Sequence, residues 1–393
     1  MNVEEQVQQL QQELVTLRRD FHTHPEQSWQ EFGTQEKILN YLEKLGIPAV
    51  KAAKTGVIGT IKGKKASDKI LGIRADIDAL PITELNETSY KSQNPGTMHA
   101  CGHDTHITIL LGTAKILAGL KDELPVTVRL IFQPAEEYIA DSGAAHMKNE
   151  PLVKECDRII ALHIWGLIPV GYASLRVGPV MSAADTFDIY VEGKGGHGAQ
   201  PHQAIDPIVA ASEFVTTLQT VVSREISALE PAVLSVTSFQ AGTTSNVIPA
   251  EAHLQGTART FNPQLRQEYP GILERVARGV GEASRTQIRV DYHFGTPPMI
   301  NDKACVETGL KACQKVFDPA KIVEWDLQMG GEDFAKYEAP KCILLLGGGV
   351  PDEKERHAQH NPYFDVDERA LGLGVQYFVQ YVLCYGAETQ NSK

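Results

Sequence analysis

Apolar positions set the first expectations. Val7, Leu10, Leu14, Leu17 and Phe21 recur at helical spacing, Ile38, Leu39, Tyr41 and Leu42 make a second apolar face, and Pro25 lies between them. Two helices are therefore predicted at the start of the chain. β-rich runs follow at 57–61, 70–74, 126–132, 158–164 and 342–346, with a helix predicted over 107–120 between two of them. Strands alternating with helices predict an α/β fold around a mixed, largely parallel sheet.

The middle of the chain has another rhythm. Strands are predicted at 187–191, 232–239, 252–260 and 287–292, and helices at 207–222 and 263–284, each opening on a proline, which suits the first helical position. The order β-α-β-β-α-β is that of the ferredoxin-like split unit. Gly178-Pro179 and Thr296-Pro297-Pro298 flank it. The pattern predicts a compact domain at 182–294 inserted into a discontinuous one, 1–181 and 295–393. The tail after Tyr385 is expected to fray.

With 393 residues, 42% hydrophobic and 22% charged, the chain is an ordinary globular protein large enough for two cores. A net charge of −12 argues against a binder of nucleic-acid backbones. No apolar run approaches the roughly 20 residues that span a bilayer, and no secretory signal is visible at the N-terminus. Six cysteines, at 101, 156, 305, 313, 342 and 384, are sparse and include no CxxC pair, so a reducing cytoplasm is expected instead of a disulfide framework.

Candidate chemistry falls after the predicted strands. Asp76 follows 70–74, Glu136-Glu137 follow 126–132, His163 closes 158–164, His360 lies beyond 342–346, and Cys101 and His103 precede the helix. Strand carboxyl ends are where ligands bind in open α/β sheets. Each residue also has an ordinary reading: Asp104 as a helix cap, His163 as a core histidine, Glu136-Glu137 as a solvated pair. As a set, a thiol, imidazoles and carboxylates suit a borderline divalent ion. Of two adjacent glutamates, one can ligate while the other acts as a base.

A series of motifs carries a resemblance. Arg18-Arg-Asp-Phe-His-Thr-His-Pro-Glu26, Arg74-Ala-Asp-Ile-Asp-Ala-Leu-Pro81, Met98-His-Ala-Cys-Gly-His-Asp104, Phe132-Gln-Pro-Ala-Glu-Glu137, Gly193-Lys-Gly-Gly-His197, Asn246-Val-Ile-Pro249, Gly330-Gly-Glu-Asp-Phe334 and His360-Asn-Pro-Tyr-Phe364 occur in this order. From about residue 15 to 385 the chain resembles the aminoacylase, hippurate hydrolase and indole-acetyl-amino-acid hydrolase group of metallopeptidases.

The resemblance implies a catalytic α/β domain and an inserted lid that forms a homodimer contact, with a tetramer as the alternative. It implies two divalent ions per subunit, Zn2+ or Mn2+ with Co2+ or Ni2+ as alternatives, held by Cys101, His103, Glu137, His163 and His360. Glu136 would be the general base, and Asp76 a carboxylate that orients a ligand. His197, Asn246 and Arg259 would contact the substrate, although His197 could also be a surface turn histidine and Arg259 half of a surface ion pair. The implied reaction is hydrolysis of an N-acyl amino acid to a carboxylic acid and an amino acid. A dipeptidase or carboxypeptidase with the same metal pair is one alternative; an amidase with Cys101 as nucleophile and His103 or His163 as its base is another. A small-molecule substrate is expected, with neither nucleic acid nor membrane as partner.

Overall fold

The computed structural model describes residues 2–391. The chain divides into two compact units. The first takes the chain up to Gly178, Ile300–Asp326 and the chain from Lys336 on; the second takes Pro179–Met299 and Leu327–Ala335.

The first unit is built on a seven-stranded sheet in the order Ala49–Ala52, Gly56–Lys62, Thr127–Gln133, Ile70–Asp76, Arg158–Pro169, Lys341–Gly349, Ala173–Ser174. The four central strands run parallel, and the outer ladders are antiparallel. Parallel strands are covered on both faces, and the sequence suits this. In Lys341–Gly349 every residue after Lys341 is buried, and in Ile70–Asp76 every residue after Ile70.

The helix His103–Gly119 packs between Val3–Thr23 and Arg369–Asn391. Every residue from His103 to Ala114 is buried, as an all-round apolar helix must be. The helix starts four residues before its expected start at 107. Gly102 is its N-cap residue, so Asp104 sits inside the first turn and does not cap it.

The first helix departs from its expected stripe at one position. Leu17 is only partly buried, while Arg18 is fully buried among Val7, Leu10, Leu14 and Phe21. A buried guanidinium needs partners. Arg18 donates to Asp104 at 2.8 Å and Asp365 at 2.7 Å. At the other end of the chain, residues 386–391, expected to fray, instead continue the helix Arg369–Asn391. Glu388 accepts from Lys311 Nζ and Thr308 Oγ1, each at 2.8 Å. Ser392 and Lys393 lie outside the described residues.

The second unit has a four-stranded antiparallel sheet in the order Ala232–Ala241, Glu251–Thr260, Ala184–Glu192, Gln287–Thr296. With the helices Pro207–Thr220 and Pro263–Ser284, this is the β-α-β-β-α-β order. Asp206 and Asn262 cap the two helices through their side chains. Phe187, Ile189, Leu254, Phe214, Leu218, Tyr269 and Leu273 form the core under one face of the sheet. The alternating burial of Glu251–Thr260 shows that the other face is less covered. Among the described residues no helix is long and apolar enough to cross a membrane.

Candidate metal centre

The central strands of the first unit aim their carboxyl ends at one place. Asp76 ends its strand, Glu136 and Glu137 lie just past Thr127–Gln133, and His163 lies within Arg158–Pro169. Cys101-Gly102-His103 turns into the helix. The loop bearing His360 is tied to that turn, because the His360 N–H donates to the Ala100 carbonyl at 2.8 Å.

Each donor-bearing turn contains a left-handed residue: Gly102 at φ 88°, Ala135 at φ 49° and His360 at φ 65°. The last two carry side chains and hold a costly conformation, a common mark of functional turns. Ala135 is held by its N–H donating to buried Glu31 at 2.9 Å, and Glu31 also accepts from Thr55 at 2.7 Å. Burial, with the charge of Asp78 nearby, raises the Glu31 carboxyl to about 7. At Gly102 a Cβ would meet Ile164 Cγ2 at 2.3 Å, so no side chain fits between the two donors.

The side chains converge. Cys101, His103 and His163 bring ligand atoms within 4.8 Å of one another, and so do Cys101, Glu137 and His360, and His103, Glu136 and Glu137. Two of these groups share the Cys101 sulfur, and two share Glu137. Cys101 Sγ lies 3.4 Å from His163 Nε2. His163 donates its Nδ1 proton to the Ile164 carbonyl at 2.7 Å, and His103 Nδ1 faces the Asp78 carbonyl at 2.9 Å and Oδ1 at 3.2 Å. Both rings thus present Nε2 to the site, the arrangement of a metal-binding histidine.

Unused capacity marks the same spot. His103 Nε2 and Glu137 Oε1 are buried and have no hydrogen-bond partner. His360 Nε2 is 3.2 Å from Glu137 Oε1, close enough for an ion pair but not directed as a hydrogen bond. Buried polar atoms are nearly always satisfied. A cation would satisfy both, and the residues present therefore fit a metal.

The electrostatics agree. Burial pushes the Cys101 thiol well above its ordinary range, and Glu137, Glu136 and Asp76 push it further. Burial alone would lower His103, but Asp76 and Asp78 raise it to about 10. Burial holds His163 well below its ordinary value. Burial opposes charge on Asp76, yet His103, His106 and Arg74 hold its carboxyl well below the usual range. Protons on Cys101 and His103 occupy the positions from which a divalent cation would displace them. A nucleophilic thiol needs a lowered pKa, so the upward shift of Cys101 counts against the Cys101-nucleophile alternative.

Two residues of the centre escape sequence reasoning. Asp78 faces His103 Nδ1 and also accepts the Glu137 N–H at 3.1 Å. Asp76 instead bonds His106 Nδ1 at 2.5 Å, and its Oδ2 is 3.8 Å from His103 Nε2. The signal for Asp78 was its spacing, since positions two apart on extended backbone point the same way. His106 had no signal beyond its place one turn after His103.

In the second unit Val247–Ile248 pairs with Gly196–His197, and the Gly198 N–H donates to the Asn246 carbonyl at 2.9 Å, so exposed His197 and Asn246 are neighbours. Arg259 sits on the strand Glu251–Thr260, with Nη1 donating to Thr257 and to the Asp185 and Ala258 carbonyls.

Comparison with known proteins bears on these residues. Residues 72–383 match the profile of peptidase family M20/M25/M40. Over 371 residues, 93% of this chain and 95% of the relative, the sequence is 40% identical to an N-acetylcysteine deacetylase of Bacillus subtilis (strain 168). It is 42% identical over 296 residues, 75% of this chain and 80% of the relative, to an N-acyl-L-amino acid amidohydrolase of Geobacillus stearothermophilus. A solved Bacillus subtilis structure, described as a dinuclear metal-binding peptidase of the M20 family, is similar at TM-score 0.84 and 36% identity, over 96% of this chain and 98% of that one.

Proposed function

The chain belongs to peptidase family M20/M25/M40, and on that premise we propose that it is a metal-dependent amidohydrolase splitting N-acyl amino acids into a carboxylic acid and an amino acid. The observation that carries this reading is the overlapping donor set, with His103 Nε2 and Glu137 Oε1 buried and unsatisfied inside it. Cys101, His103, Glu137, His163 and His360 would hold two divalent ions, zinc or manganese, with cobalt or nickel as alternatives. Bound there, the ions would acidify water and polarise the scissile carbonyl.

Glu136, beside Glu137 on the same turn, takes the proton of the attacking water. The water oxygen bonds the carbonyl carbon, the C–N bond breaks, and Glu136 delivers the proton to the departing amine. Asp76 and Asp78 hold the donors in place. The segment 182–294 acts as lid and homodimer contact, and 1–181 with 295–393 as the catalytic domain. In that lid His197 and Asn246 donate to the developing oxyanion, and Arg259 grips the carboxylate of the substrate. The enzyme works in the cytoplasm.

The test is metal analysis of purified protein together with release of amino acid from N-acetyl, N-benzoyl and aminoacyl substrates, with and without chelator. Two ions per chain, chelator-sensitive release and preference for the acyl substrates are expected. Chelator-resistant release abolished by iodoacetamide would overturn the reading. Preference for aminoacyl substrates would select the dipeptidase or carboxypeptidase alternative.

A further inference from the structure

A fourth imidazole lies beside two of the donors, His103 and His163, without joining the set. His106 is 1% exposed, and its ring centroid is 4.8 Å from that of His163 and 5.4 Å from that of His103. Both of its nitrogens are engaged. Nδ1 donates to Asp76 Oδ1 at 2.5 Å, and Nε2 accepts the Ile164 N–H at 2.9 Å. A backbone N–H can only donate, so Nε2 is the accepting nitrogen of the ring and Nδ1 the donating one.

The sheet explains why this bond is needed. The strand Ile70–Asp76 pairs with Arg158–Pro169 only as far as Arg74 opposite Ala161. Beyond that point the strands part, and the Ile164 N–H finds its partner in the His106 ring. Buried N–H groups must find one. The Ile164 carbonyl in turn holds one site residue and the chain neighbour of another: it accepts from His163 Nδ1 at 2.7 Å and from Gln359 Nε2, next to His360, at 2.8 Å. On the other side the chain of bonds continues. Arg74 Nη1 donates to Asp76 Oδ2 at 2.6 Å, Arg74 Nε donates to Gln133 Oε1 at 2.9 Å, and the Tyr337 hydroxyl donates to the same oxygen at 3.1 Å.

We propose that His106 is a positioning residue for the metal centre: its ring bridges two parting strands and sets, through the backbone on both sides of the Ile164 Cα, the directions of His163 and of the loop bearing His360. Asp76 acts through His106, as the carboxylate that fixes the tautomer. The inference rests on the metal-centre reading above and adds to it a residue that touches neither ion nor substrate.

The test is titration of chelator-stripped full-length protein with zinc against a chromophoric chelator, for the wild type, His106→Ala and His106→Gln. A glutamine amide can donate to Asp76 and accept from Ile164. His106→Ala is expected to weaken zinc binding about 10–100-fold, the usual cost of removing an outer-shell partner. Its stoichiometry at saturating zinc should equal that of the wild type, with kcat lowered and KM within about twofold. His106→Gln should restore affinity to within about threefold of wild type. If His106→Ala does not fold, His106→Asn, too short to reach both partners, is read against His106→Gln in its place. Unchanged zinc affinity in the alanine or asparagine variant overturns the proposal. So does the loss of one ion at saturation, which would make His106 a ligand, and so does a glutamine variant as impaired as the alanine or asparagine one. A wild type that takes up no zinc, manganese, cobalt or nickel would instead sink the metal-centre reading itself.

Discussion

Each unit gathers histidines around a carboxylate, and the two clusters differ chiefly in access to water. In the first unit His103 and His106 meet Asp76, and all three are at most 1% exposed. In the second, His253 and His293 flank Asp188 at 2.7 and 3.2 Å, but the two histidine side chains are 32% and 58% exposed. The chemistry of the pairs is alike. The sheets are not: the central parallel strands are covered on both faces, while the antiparallel sheet leaves one face to solvent. Water screens the outer cluster, whereas the inner one feels its charges in a low dielectric. The inner cluster therefore shows large shifts at Asp76 and His103 and leaves His103 Nε2 unsatisfied, the atom that faces the candidate metal centre.

The comparison can be broken at four points. The largest effect is expected at Glu136, for which Glu136→Gln should cost about 10²–10⁴ in kcat while metal content, read by elemental analysis, stays at the wild-type value. Near-normal turnover would remove its role as base. Next is Asp78, whose loss in Asp78→Ala leaves His103 Nδ1 without its carboxylate. Zinc affinity should fall about 10–100-fold by chelator competition, and an unchanged affinity would mean that buried carboxylates here do no more than exposed ones.

The third point is pH. Burial and the Arg18 charge push His22 down, but Asp104 and Glu84 outweigh them and raise it to about 9. A folded-state pKa above the ordinary histidine value of about 6.5 means stability that is whole below pH 6.5 and lost as pH rises through about 9. Urea unfolding of the holoenzyme at pH 6 and 9 should show this loss, and His22→Gln should lessen it; parallel curves for the two proteins would contradict it. The smallest effect is expected outside. Asp188→Asn should change unfolding free energy by no more than about 1 kcal/mol, and a larger change would show that the outer cluster is not screened as its exposure implies.

Much of the architecture was legible from periodicity, because both sheets bury their apolar strands in the simplest way. The helices Lys303–Cys313 and Arg369–Asn391 were not singled out, and neither was the return of 327–335 to the second unit, which no pattern in a short irregular stretch could announce. The ordered motifs gave the donor set that the structure brings together. They did not give the hydrogen bonds behind it. Whether Asp76 or Asp78 meets His103 depends on where two strands part, and Asp104 looked like a cap because its burial against Arg18, on a helix 86 residues earlier, has no local trace. Charged residues read as surface until a partner distant in sequence is known.

Gly102 has a consequence for engineering. Because the left-handed bend falls on Gly102 and not on Cys101, position 101 can be exchanged without changing the residue that makes the bend. Replacing the sulfur there by a carboxylate would shift preference toward harder ions such as manganese, while the helix behind keeps His103 in place. Selectivity and scaffold are then separate dials, provided the glycine is left in place.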